Sequence, residues 1–295
     1  MLLFKKYLAL CFLIAGCFLS TSTFADELAS SSSVTSREPR QNQNTLTSAP
    51  VQLNWDYFTG YVTDFSTIVT SPARWNASDW ITATIITGIT AGLYENDAKI
   101  QKWVLDHKTT TTGSIGDKVT LVGHGGLTPV VLGSMYLYGH VAHDAKIQKT
   151  VLLSVESFAV TGVFVQTLKS SLHRHRPYTN DGARTWDGAS LKTDGSNLSF
   201  PSGHASLAFA VSTVIAEEYD NAFIPPVAYT IATITALNRV QRNAHWASDV
   251  FAASAIGYFT GKAIVAAHRN SKESTVSLAP LILEGGSGIV LTYQF

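Results

Sequence analysis

From Trp80 to about Ala267 the chain alternates long apolar segments with short polar joints. The segments lie near residues 79–95, 118–142, 150–173, 203–219, 223–240 and 246–268, each 17 residues or longer. Strands of that length are unusual, so the pattern predicts six helices. Asn96–Lys99 and His143–Lys149 read as joints, and Pro225-Pro226 suits the first turn of the fifth helix. Residues 178–199, rich in Gly, Asp, Asn and Thr, form an excursion between the third and fourth helices. Tyr178, Trp186 and Phe200 are expected to shape the mouth of a pocket there. The expected fold is all-α, a six-helix core bundle within residues 51–270.

The two ends follow other patterns. Ser277–Leu283 and Ile289–Phe295 are apolar, partly β-branched runs separated by Glu284-Gly285-Gly286-Ser287-Gly288. They predict a small β-hairpin in residues 271–295. Residues 26–50 are rich in Ser, Thr, Gln and Asn and read as a flexible linker. Residues 1–25 read as a signal peptide: Lys5 and Lys6, an apolar stretch from Tyr7 to Leu19, then Thr23-Phe24-Ala25 as the cleavage site. Two alternatives stand beside it. One is a retained, integral membrane anchor. The other is a lipobox, Ile14-Ala15-Gly16-Cys17, with lipid on Cys17. All three export the rest of the chain, to the periplasm or cell envelope.

Composition narrows the class. Charged residues are 14% of the chain, against about 25% in ordinary soluble domains, and hydrophobic residues are 45%. Such a chain is not disordered, and its helix surfaces need a cover of protein or lipid. A spanning helix needs about 20 predominantly apolar residues. Glu156, Glu217-Glu218, Asp249 and Lys262 interrupt the segments, so a soluble bundle with membrane surface contact is expected. Twenty-one basic residues balance 21 acidic ones, which argues against nucleic acid as a partner. Both cysteines, Cys11 and Cys17, lie in the leader. A chain cut after Ala25 has no disulfide, thiolate nucleophile or Cys-ligated metal.

Three short motifs stand at the ends of the predicted helices: Lys169-x6-Arg176-Pro177, Pro201-Ser202-Gly203-His204 and Arg239-x5-His245-x3-Asp249. Each alone has a bland explanation as a helix-end charge, a turn or an exposed pair. Together they supply complementary chemistry. Lys169, Arg176 and Arg239 are three cations, two of them forked guanidiniums that match phosphate oxygens. Ser202 lies where a helix starts, so its hydroxyl and the N–H groups of Gly203 and His204 can bind an anion. His245 and Asp249 are one helical turn apart. The carboxylate can hold one ring nitrogen protonated and leave the other as a nucleophile. His204 is suited to protonate a leaving oxygen. Arg174 is a further cation expected to bracket the pocket.

These motifs, in this order and spacing, resemble the three-part signature of the type 2 phosphatidic acid phosphatase (PAP2) superfamily. That family includes bacterial nonspecific acid phosphatases, lipid phosphatases and vanadium haloperoxidases. The resemblance covers about Trp80 to Ala267. It implies a helical bundle with its active site at the helix ends. It also implies a phosphohistidine on His245, orientation by Asp249, and acid and base roles for His204. Lys169, Arg176, Ser202, Gly203 and Arg239 would bind the phosphate. No cofactor and no metal are expected, with vanadate only as a phosphate analogue. The partner is a phosphorylated small molecule or lipid. One position departs: Asn238 stands where the family usually has Ser, which puts one contact in doubt. His173 and His175, inside the first spacer, read as positions near the pocket. Gly123-His124-Gly125-Gly126 reads as a place where helices approach closely. Two rivals to a phosphatase are a vanadate-dependent haloperoxidase and a non-catalytic envelope protein that binds lipid head groups.

Overall fold

The structure is a computed structural model that describes residues 55–190, 194–270, 275–283 and 286–294. The leader, the 26–50 linker and Cys17 lie outside the described residues. Eight α-helices are present among the described residues. They are α1 (Trp55–Thr70), α2 (Ala77–His107), α3 (Thr110–Val119), α4 (Leu127–Val141), α5 (Ala145–Leu172), α6 (Gly203–Glu218), α7 (Ile224–Gln241) and α8 (Ala247–Asn270). The backbone of Thr275–Leu283 pairs antiparallel with Gly286–Gln294.

Local chemistry sets the helix ends. Asn76 caps α2 by accepting the N–H groups of Ser78 and Asp79, while Asp79 accepts the Asn76 N–H in return. Asp144 Oδ1 accepts the Ile147 N–H at the start of α5. That helix stops at His173, which adopts left-handed φ 45° and donates its N–H to the Lys169 carbonyl.

The six expected helices become eight for identifiable reasons. The 118–142 segment is broken by a 3-10 turn at Thr120–Gly123 and the Gly-rich turn after it. A Cβ on Gly123 would lie 2.5 Å from the His204 carbonyl, so this glycine does permit a close approach, onto the start of α6. Helix α3 is short and half Thr and Gly, with no apolar stripe to reveal it. Helix α1 meets the bundle through Phe65 and Ile68, which pack on Leu153, Val214 and Ile264. That contact is too narrow to read from periodicity. The expected joint at Asn96–Lys99 is not a joint. Helix α2 runs through it, and Asp97, Gln101 and Val104 form its buried face. Two polar members on a helical spacing resembled a break.

Helix α6 is the centre, flanked by α5, α7 and α8. It is apolar nearly all round, as a helix enclosed by protein should be. Gly257 and Gly261 let α8 lie directly on it. A Cβ on Gly257 would collide with the Ser206 carbonyl, and one on Gly261 would come within 2.8 Å of Thr213. The first half of α2 and most of α4 differ: Trp80, Ile81, Ile85, Val130, Leu137 and Val141 are all exposed. Ala145–Leu172 and Ala247–Arg269 are long and apolar enough to cross a membrane, with about half of each apolar window buried inside the protein. The core helices of soluble proteins share that length and composition.

Candidate active site

The C-terminal ends of α5 and α7 and the N-terminal ends of α6 and α8 meet at one end of the bundle. The 173–202 excursion is stitched across them. Arg176 N–H donates to the Ser196 carbonyl at 2.9 Å, Ser199 N–H to the Arg174 carbonyl at 2.9 Å, and Ser202 N–H to the Asp249 carbonyl at 3.2 Å. The turn between α7 and α8 closes on Arg239, whose carbonyl accepts the N–H groups of Ala244 and His245. All eight residues singled out from the three motifs are thereby gathered in one place.

His245 is buried, and its Nδ1 lies 2.7 Å from the Ser199 carbonyl oxygen. A carbonyl only accepts, so Nδ1 carries the proton and Nε2 keeps its lone pair. Asp249 Oδ2 stands 3.8 Å from Nδ1, close enough for attraction but too far for a hydrogen bond. The expected direct His245–Asp249 hydrogen bond is therefore replaced by a backbone carbonyl. The reason is local. His245 precedes α8, and Asp249 reaches back to accept the Trp246 N–H at 2.9 Å, as a helix-capping carboxylate does. Asp249 also accepts Ser199 Oγ–H at 2.5 Å. Burial holds the His245 imidazole down to about 3, with the charges of Lys169 and Arg176 acting in the same direction, so it is neutral at neutral pH.

The three predicted cations are short of anions. Among the described residues no carboxylate forms an ion pair with Lys169, Arg176 or Arg239. Lys169 Nζ donates to the Leu198 carbonyl at 2.5 Å, and Arg176 makes only long contacts of 3.4 Å to the Leu198 and Ala244 carbonyls. The Nε groups of Arg176 and Arg239 and the Ser202 hydroxyl are buried with no hydrogen-bond partner among the described residues. Burial pushes Lys169 down to about 7, and nearby Arg176 adds to the shift. Concentrated, unpaired positive charge beside a helix N-terminus is an anion site awaiting its anion.

His204 sits in the first turn of α6, its ring 5.7 Å from that of His124 in an edge-on arrangement. Burial, then the charges of Arg239 and His124, hold it down to about 4. His124 Nδ1 lies within reach of the N–H groups of Gly126 and Leu127, at 3.2 and 3.3 Å, so the glycine turn also brings a second imidazole to the site. Asn238 turns away: its Nδ2 donates to Thr120 Oγ1 at 2.7 Å. The departure from the family pattern serves the packing of the α3 end of the chain. His175 bridges Asp181 and Asp187 at 2.7 and 3.0 Å, outside the cation cluster. His173 is buried as the left-handed cap of α5.

Sequence reasoning misplaced one residue and missed another. Arg174, expected to bracket the pocket, is fully buried and engaged. Its Nη1 donates to Asp249 Oδ1 at 2.5 Å and to Ser248 Oγ at 2.7 Å, and its Nη2 donates to Asp97 Oδ2 at 2.7 Å. Asp97 in turn accepts the Ser248 N–H and hydroxyl. Tyr94, Trp186 and Trp246 surround the guanidinium with ring centroids 4.7, 5.2 and 5.5 Å away. Trp186 therefore covers Arg174, rather than lining an open mouth, and donates its Nε1–H to Tyr94 Oη at 3.0 Å. Burial opposes charge on Asp249. The charge of Arg174 and the bond from Ser199 help outweigh it and hold the carboxylate below its usual range. Asp97 gave one signal, an acidic residue at helical spacing from Gln101 and Val104, but no pattern ties it to residues 150 positions away.

Residues 150–273 match the family described as the PAP2 superfamily, and all three motifs lie inside that span. The matched segment comprises nearly all of α5 and all of α6–α8. Helices α1–α4 lie outside it. Over 156 residues the chain is 30% identical to a lipid A 1-phosphatase of Porphyromonas gingivalis, covering 52% of this chain and 31% of that protein. Over 150 residues it is 29% identical to a PA-phosphatase related-family protein of Dictyostelium discoideum, covering 46% of this chain and 54% of that one. The chain thus spans about a third and about half of these two relatives. Two solved structures also resemble it, each with a TM-score of 0.45. Aquifex aeolicus LpxE is 18% identical, covering 58% of this chain and 94% of that one. A transmembrane PAP2 type phosphatidylglycerolphosphate phosphatase from Bacillus subtilis is 16% identical, covering 73% and 95%.

Proposed function

We propose that the chain is a metal-independent phosphatase of the cell envelope, acting on lipid-linked phosphate monoesters or diphosphates through a phosphohistidine. One observation carries this reading. A neutral imidazole with Nδ1 committed to a carbonyl stands beside three cations and a buried serine hydroxyl that lack anionic partners. Lys169, Arg176, Arg239, Ser202 and the N–H groups of Gly203 and His204 hold the phosphate. His245 Nε2 attacks phosphorus as the phosphorus–oxygen bond to the leaving group breaks, and His204 supplies the leaving oxygen with a proton. Water, activated by His204, then releases phosphate from His245. Asp249 and the Ser199 carbonyl stabilise the imidazolium during both steps. An arriving phosphate dianion raises the proton affinity of His204, which otherwise sits near 4.

The lipid assignment draws on the similarity to a lipid A 1-phosphatase of Porphyromonas gingivalis and on the exposed apolar side chains of α2 and α4, which suit contact with a membrane surface. The test is His245→Ala, assayed on an aryl phosphate, phosphatidate, phosphatidylglycerol phosphate, undecaprenyl diphosphate and nucleotides. Turnover should fall roughly 10^4-fold or more. Retained turnover would remove the nucleophile, and equal wild-type rates on all substrates would remove the lipid preference.

A further inference from the structure

The far end of the bundle holds a second cluster of chemistry-bearing side chains. Asp64 on α1, Glu156 on α5 and His268 on α8 each place one ligand atom within 4.8 Å of the others. His268 Nε2 lies 2.8 Å from Glu156 Oε2 and 3.5 Å from Asp64 Oδ2. Glu156 is entirely buried, and its other oxygen, Oε1, has no hydrogen-bond partner among the described residues. Thirteen residues separate Glu156 from Lys169 on α5, about 20 Å along a helix. The cluster is therefore separate from the phosphate site.

Charge is the difficulty at this point. With both carboxyl groups ionised the cluster carries a net charge of −1 even against a protonated imidazole, and burial accordingly pushes the Glu156 carboxyl up. That arrangement is expensive, and the orphaned Oε1 makes it more so. A divalent cation with a neutral imidazole brings the sum to zero and gives the buried Glu156 carboxylate a counter-charge. One imidazole nitrogen and two carboxylate oxygens form a donor set suited to zinc or manganese, with room for water as a further ligand. The three ligands come from three helices, and α1 otherwise holds to the bundle through Phe65 and Ile68.

We propose that Asp64, Glu156 and His268 form a structural divalent-metal site that fastens α1 to α5 and α8. The proposal does not rest on the phosphatase reading. The test uses the full chain, stripped with chelator, dialysed and titrated with ZnCl2 or MnCl2 by calorimetry, beside His268→Ala and Asp64→Asn. The wild type should take up one more equivalent of one of the two metals than either variant. That metal should raise the thermal midpoint of the wild type and leave both variants unmoved. Asp64→Asn keeps the shape of the site and decides the matter if His268→Ala does not fold. Equal uptake by all three proteins, or no uptake by the wild type, overturns the proposal and leaves the trio as an ion pair. Phosphate release by Asp64→Asn should match the wild type.

Discussion

Helix α6 and the first half of α2 look alike in sequence but meet opposite fates. Both are largely apolar, α6 through Ala and Val and the first half of α2 through Ala, Ile and Thr. Helix α6 lies inside α5, α7 and α8, with Ala205, Ala208, Phe209 and Val214 almost wholly buried. On α2, Trp80, Ile81 and Ile85 remain more than half exposed. The difference lies in what each helix is offered. Gly257 and Gly261 give α6 a partner without side chains at the contact, so backbones can approach and dispersion contacts accumulate. Among the described residues no glycine seam faces the first half of α2, whose own Gly88 and Gly92 meet nothing within 4 Å. Apolar composition shows that a cover is wanted, not that the chain supplies it.

Five substitutions sharpen this contrast, starting from the largest effect on stability. Arg174→Met removes the buried cation shared by Asp97 and Asp249, so chemical denaturation should show a loss of about 3–5 kcal/mol. A loss below 1 kcal/mol would mean that the polar end of the bundle tolerates uncompensated charge. Gly257→Ala forces a methyl group into the Ser206 carbonyl and should cost about 1–3 kcal/mol. Gly88→Ala, its counterpart on exposed α2, should stabilise by about 0.5–1 kcal/mol. Matching signs for the two glycines would erase the distinction between the regions.

Lys169 supplies a pH test at the buried end. Its pKa is lowered to about 7, so its charge is present below that pH and lost as pH rises through it. Phosphate inhibition should weaken about tenfold between pH 6 and 9 in the wild type. Lys169→Arg, which stays charged, should flatten that upper limb. The smallest effect belongs to the exposed face. Ile85→Ser should change stability by no more than about 0.5 kcal/mol while reducing sedimentation with anionic phospholipid vesicles. A large loss of stability there would show that Ile85 is covered after all.

The helices most legible in the sequence were those whose apolar runs are long and bounded by polar residues or Pro: α5, α6, α7 and α8 fall within a few residues of the expected spans. Helices α1 and α3 were not legible, because one docks by a few scattered side chains, Asp64, Phe65 and Ile68 among them, and the other has no apolar stripe. The candidate site was legible because its residues are few, chemically specific and tied to helix ends. Its support was not. The tie between Asp97 and Arg174, and the Ser199 carbonyl that receives His245, join positions whose spacing carries no period.

The sequence by itself determined that this chain forms helices and places Lys169, Arg176, Ser202, Gly203, His204, Arg239, His245 and Asp249 at helix ends, in a pattern that resembles PAP2-type chains. Those properties follow from periodicity, caps and residue chemistry, which act over a few positions. Tertiary structure alone decided that Arg174 is a buried strut, that a backbone carbonyl fixes the His245 tautomer, and which apolar helix goes uncovered. Each depends on groups far apart in the chain meeting at hydrogen-bond or van der Waals distance. Only the assembled bundle sets those distances.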